Sequence, residues 1–127
     1  MSILKKILLK TGLIQRLGDY LLHYHNLKKR EIMLDTINKD AIIDPTCIIQ
    51  RELTISNHAQ NKEKINIGPY CIIDGPYLSV MKQSGEITIG NHCFIGPDTR
   101  IWSAKKISIG NRVLISHNVN IHDNNSH

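Results

Sequence analysis

Seven histidines occur in a chain with one Phe and one Trp, and three of them, His117, His122 and His127, are spaced by five within ISHNVNIHDNNSH. An imidazole can take or give a proton near neutrality, and three imidazoles make a reasonable zinc set. Asp123 and Asn125 stand between the last two histidines. Their side chains can orient an imidazole or a substrate, and Asp and Asn also favour turns. Cys47, Cys71 and Cys93 form no CxxC pair and no even count, so neither a disulfide framework nor a zinc knuckle is expected.

These residues are carried by a repeat. From Ile43, steps of six reach Ile49, Ile55, Asn61, Ile67 and Ile73, with Asn61 the one exception. Two further runs read Ile89, Ile95, Ile101 and Ile109, Ile115, Ile121. The breaks between runs predict a loop of extra residues within LSVMKQSGE and a two-residue bulge near SAKK. Directly after the aliphatic come Asp44, Gly68, Asp74, Gly90, Gly96, Gly110 and Ser116, which tolerate tight corners. Two residues before it the chain is again apolar or small. A six-residue unit of short strand plus corner, stacked many times, predicts a parallel β-helix over 39–127. In that register all three cysteines take the same inward position and act as small buried hydrophobes. Trp102 falls at a corner, which turns its ring outward to stack on a ligand or pack at an interface between subunits. His127 falls where an inward aliphatic is due. Burying an imidazole there without partners is costly, so the backbone is expected to leave the coil and present these side chains on a loop, held by a rigid scaffold.

The runs INIGPYCI, ITIGNHCFIGPDTRI and ISIGNRVLISHNVNI resemble the bacterial hexapeptide-repeat acyltransferases over about residues 41 to 127. That resemblance implies an all-β, left-handed parallel β-helix. The final segment is most similar to the sugar O-acetyltransferases, in which a repeat ending in an aliphatic runs through a short polar stretch to a histidine. The resemblance implies that His127 is the general base, that acetyl-CoA is the acyl donor, that a sugar or glycan hydroxyl is the acceptor, and that the site lies between subunits of a homotrimer. It carries a role onto no residue but His127 and implies no metal; from spacing alone Asp123 and Asn125 are candidates to orient the imidazole or the sugar, and the outward ring of Trp102 is a candidate to stack on the sugar or on adenine. The same helix carries γ-class carbonic anhydrases, a second reading that His117 and His122 invite. Stepping by six puts those two at different repeat positions, with no upstream histidine aligned as a third ligand. A third reading is a β-helix stub, incomplete at its C-terminal end, that turns nothing over, because coils that form much of the family's CoA groove would follow His127.

The net charge of +5 is concentrated: residues 1 to 30 hold seven Lys and Arg against Asp19, a sum of +6. The remainder is close to neutral, without the basic, aromatic-laced stripe of a nucleic-acid binder. Leu4, Ile7, Leu8, Ile14, Leu17 and Leu21 recur at spacings near three and four, which predicts an amphipathic helix or two within residues 1–38, broken at Gly12 or Gly18. Such a segment packs on protein or lies on an anionic membrane surface. No run approaches the roughly 18 apolar residues of a membrane span, and no secretory cleavage site appears. The expected location is the cytoplasm, at the inner face of the membrane if the basic segment binds lipid.

Overall fold

The computed structural model describes residues 2–6 and 12–124. Ile7, Leu8, Asn125 and His127 lie outside the described residues. The chain forms two units, Met1–Asp35 and Thr36–His127. Among the described residues the first holds a short helical stretch over 3–6 and most of the long helix α1 (Leu13–Asp40). Gly12 precedes it in the left-handed region, at φ 71°, and its carbonyl accepts the first helical bond, from the Arg16 N–H. Gly18 interrupts nothing, since it lies inside continuous helix, and of the two expected breaks only Gly12 marks one among the described residues. Among the described residues no helix is long and apolar enough to cross a membrane.

The second unit is a parallel β-solenoid, with twelve short strands in three four-stranded sheets among the described residues. Sheet A holds β1 (Ile42–Ile43), β4 (Ile65–Ile67), β7 (Ile87–Ile89) and β10 (Ile107–Ile109). Sheet B holds β2 (Ile48–Arg51), β5 (Ile72–Asp74), β8 (Phe94–Ile95) and β11 (Leu114–Ile115). Sheet C holds β3 (Thr54–Asn57), β6 (Tyr77–Val80), β9 (Arg100–Ser103) and β12 (Asn120–His122). Each coil visits A, B and C once, and every strand pairs in parallel with the same strand of the next coil. The inward isoleucines of the six-residue register are the stacked core: Ile67 and Ile89 in A, Ile73 and Ile95 in B, and Ile101 in C are all within 3% of full burial.

The breaks in the register have structural causes. Asn61 is no inward residue; it caps a 3-10 turn, Lys62–Lys64, its side-chain oxygen accepting from the Glu63 N–H at 3.0 Å. The inward residue of sheet C in the second coil is Leu78, fully buried and paired between Ile55 and Ile101. It stands five residues after Ile73, one short of the repeat, because Gly75 takes φ 71° and tightens that corner. From Ile43 through Ile67 and Ile89 to Ile109, successive coils are 24, 22 and 20 residues long.

The corner glycines differ from expectation. Gly68, Gly90 and Gly96 have no left-handed φ. That conformation falls two residues later, on Tyr70, His92 and Asp98, and likewise on Arg112 and Asn118. What requires glycine is the neighbouring coil: a Cβ on Gly68 would stand 2.8 Å from the Gly90 carbonyl oxygen, and one on Gly96 would run into the carbonyl of Ser116. The cysteines lock the same corner. Cys47, Cys71 and Cys93 are buried and donate their thiol hydrogens to the carbonyls of Gly68, Gly90 and Gly110 at 3.1, 3.1 and 3.0 Å. Burial pushes the Cys47 thiol up and the Cys71 thiol up to about 11. Both are therefore donors rather than nucleophiles.

Candidate functional site

In each strand the residue before the inward aliphatic points the other way, so three outward columns define the outer faces. On sheet A the column is Ile42, Asn66, Thr88 and Ser108, small and mostly polar. On sheet B it is Ile48, Ile72, Phe94 and Leu114, apolar throughout, with Ile48 54% and Leu114 76% exposed. Sheet C carries the varied chemistry: Thr54, Tyr77, Arg100 and Asn120 form one outward column, and Ser56, Ser79, Trp102 and His122 form the next.

Beside the first of these columns lies an open groove of about 570 Å³, running along the corner between sheets B and C. Thr54, Tyr77, Arg100 and Asn120 line it from the sheet, and Asp98 and Asn118 line it from the corner. Those two corner residues take φ 59° and 55°, a conformation that Asp and Asn adopt more readily than most. The wall is aromatic as well as polar. Tyr77 meets Trp102 edge to face with centroids 5.6 Å apart, and the Arg100 guanidinium lies 5.8 Å from the indole centroid. A ring flanked by planar amide, carboxylate and guanidinium groups is a surface on which a polyhydroxylated ligand can both stack and hydrogen-bond.

Trp102 is not at a corner. It is the third residue of β9, between Ser79 and His122 in the sheet register. The physical reason is the bulge that follows: the corner is made by Ala104 to Lys106, two residues later than a strict repeat would put it. Its ring does face outward, half-buried, while Ile101 and Ser103 on either side face in. The indole N–H is buried without a hydrogen-bond partner among the described residues.

Asp123 stacks below Ser103. Its carboxylate accepts from the Ser103 hydroxyl at 2.8 Å and from the Ala104 and Lys105 N–H groups at 2.6 and 3.0 Å. Those bonds tie the fourth coil to the bulge of the third. Partial burial pulls the Asp123 carboxyl up, and the bonds from Ala104, Ser103 and Lys105 outweigh it, leaving the group below its ordinary value. Asn57 does the same work in the first coil, where its side-chain amide donates to the carbonyls of Asp40 and Asn61. A depressed carboxylate stabilises the fold above its unfolded value, near 3.9, and loses that contribution as pH falls through the folded value. Asp123→Ala is expected to cost about 2 kcal/mol at neutral pH, with the gap to the parent closing below about pH 4. Urea unfolding at several pH values measures it, and a gap that persists at low pH would contradict the assignment.

Asp74 is the buried carboxylate among the described residues. Arg51 Nε stands 3.1 Å from its Oδ1 as an ion pair, and that oxygen has no hydrogen-bond partner among the described residues. His117 contacts the Ser116 hydroxyl at 3.2 Å in a corner of the fourth coil, and His122 is exposed on β12. Among the described residues no three His, Cys, Asp or Glu side chains gather to hold a metal ion.

Of the four residues expected at a site, Trp102 and Asp123 are brought to the end of sheet C, on opposite sides of its strands, while Asn125 and His127 lie outside the described residues. The groove residues Tyr77, Arg100, Asn118 and Asn120 were not singled out by the repeat. For Tyr77, Arg100 and Asn120 the signal is the place directly before a sheet C aliphatic, which the five-residue step to Leu78 hides; Asn118 stands at a corner, three residues before Ile121. No protein-family model matches the chain, no curated protein matches it, and no solved structure matches it, so the architecture rests on its own strand pairing.

Proposed function

We propose that the protein is a hexapeptide-repeat acyltransferase that moves an acetyl group from acetyl-CoA to a hydroxyl of a sugar or glycan, with His127 as general base. The observation that carries the reading is the groove on sheet C. Its last strand, β12, supplies Asn120 to the wall and leads, through Asp123, to the terminal histidine five residues beyond His122. A sugar hydroxyl is a poor nucleophile at neutral pH. The imidazole takes its proton as the oxygen attacks the thioester carbonyl. The new C–O bond forms, the C–S bond breaks as the tetrahedral oxyanion collapses, and the departing thiolate takes the proton back from the imidazolium. A backbone N–H serves the oxyanion.

In this reading Tyr77, Trp102 and Arg100 bind the acceptor, Asn125 contacts it, and Asp123 is a positioning residue that fixes the strand end ahead of His127. The apolar outer column of sheet B supports a homo-oligomer, the trimer that such enzymes form. A parallel sheet ordinarily has both faces covered, and a stacked Ile, Ile, Phe and Leu column is an interface in composition. Use of acetyl-CoA on a surface glycan would fit work in the cytoplasm of a bacterium. Incubation with labelled acetyl-CoA and a panel of glycans tests the proposal. Label is expected on a glycan hydroxyl, and Arg100→Ala should raise the acceptor KM about ten-fold or more while leaving kcat nearly unchanged. A protein that neither binds acetyl-CoA nor acetylates any glycan refutes it.

A further inference from the structure

The acyl-transfer reading leaves one side of α1 unused. Leu13, Leu17, Tyr20, Tyr24 and Leu27 recur at spacings of four, three, four and three, and Ile14 and Leu21 stand beside them. At 100° per residue these seven fall within an arc of about 140°. All are exposed, from 37% for Ile14 to 65% for Tyr20. The stripe stops at Lys28, whose ammonium lies 5.9 Å from the Tyr24 ring centroid and 3.8 Å from Glu31. Beyond it Leu34, seven residues after Leu27, stays within about 20° of the stripe's edge, and Ile37 turns about 80° away from it.

Two occupants suit such a stripe, and charge decides between them. The four-three spacing would fit a second copy of the helix. The positions flanking the stripe are Arg16, His23 and Arg30 along one edge and His25 and Lys29 along the other, so pairing with a copy would bring like charges together. An anionic surface meets the same flanks with attraction, and residues 1 to 30 carry +6 in all. Tyr20 and Tyr24 suit that setting, since an apolar ring with a polar tip is favoured at headgroup depth.

We propose that the Leu13–Leu27 part of α1 lies in the plane of an anionic membrane surface, apolar stripe inward and basic flanks among the headgroups. Nothing in this depends on the acyl-transfer reading. Sedimentation of the full chain with vesicles tests it, using phosphatidylcholine alone and phosphatidylcholine with one third phosphatidylglycerol. The chain pellets with the anionic vesicles and at least about ten-fold less with the neutral ones, and added salt releases it. Lys29→Glu with Arg30→Glu weakens partitioning by about ten-fold or more. Leu17→Glu with Leu21→Glu weakens it as much, and Leu17→Ala with Leu21→Ala, which keeps helix propensity, weakens it less but measurably. Circular dichroism checks that helix content is retained.

Failure to pellet with anionic vesicles overturns the proposal. Pelleting that ignores both leucine pairs overturns it as well, because charge alone would then suffice. A chain that ignores vesicles, and whose oligomer in sedimentation equilibrium dissociates on the leucine substitutions, assigns the stripe to a second copy instead.

Discussion

His127→Ala is expected to lower the rate of acetyl transfer by about 100- to 10,000-fold, the range over which a positioned general base contributes. The loss falls on kcat and on kcat/KM alike, because the imidazole acts on the proton that moves in the transition state and adds little to ground-state binding. In the proposed acyl-transfer reaction the acceptor would still dock on sheet C, so its KM is expected to change little, in contrast to Arg100→Ala. The parent rate should rise with pH as a general-base imidazole loses its proton, and the residual rate of the variant should lose that limb. Steady-state kinetics against acceptor, repeated across pH, measure both. A variant with parental kcat and an unchanged pH profile would remove His127 from the mechanism, whatever the fate of the acceptor groove.

The largest loss of stability is expected at the centre of the inward stack. Ile73 is fully buried and sits in sheet B between Ile49 of the coil before and Ile95 of the coil after. Ile73→Ala removes three carbons from a site whose neighbours are held apart by the parallel ladder and cannot collapse into the space. The cost is about 4 kcal/mol, toward the upper end for large-to-small changes in a core. Ile49→Ala, in the first coil and only half-buried, should cost about 2 kcal/mol or less, since part of that side chain already meets water. Urea unfolding of the two variants gives the comparison. Equal losses would mean that the stack is not continuous from coil to coil. The Cys71 thiol sits in the same layer and donates to the Gly90 carbonyl at 3.1 Å, so Ile73→Ala should also make that thiol easier to label.

Much of the solenoid is legible in the chain because a coil repeats the same physical demand three times per turn. Each strand needs one inward aliphatic, and the spacing of six between Ile43, Ile49 and Ile55, or Ile109, Ile115 and Ile121, records it. The burial of the cysteines followed from the same register. The corners are less legible. Glycine after isoleucine suggests conformational freedom, yet the left-handed residues are Tyr70, His92 and Arg112, and glycine is needed where the next coil's carbonyl crowds it. That crowding is a contact between residues about 20 apart and leaves no local trace. Asp123 shows the same limit. Its type and place near three histidines suggested chemistry, and its carboxylate is engaged by Ser103, Ala104 and Lys105 of the coil before.

By itself the sequence determined that the chain coils, which side chains face inward, and that its charge gathers at the N-terminal end, because periodicity and composition are properties of the chain alone. The tertiary structure decided which outward residues become neighbours. Coils of 24, 22 and 20 residues have no common period, and only the hydrogen-bonded register from strand to strand brings Tyr77, Arg100 and Asn120 into one column. The same register leaves an apolar column on sheet B and a polar, aromatic groove beside sheet C.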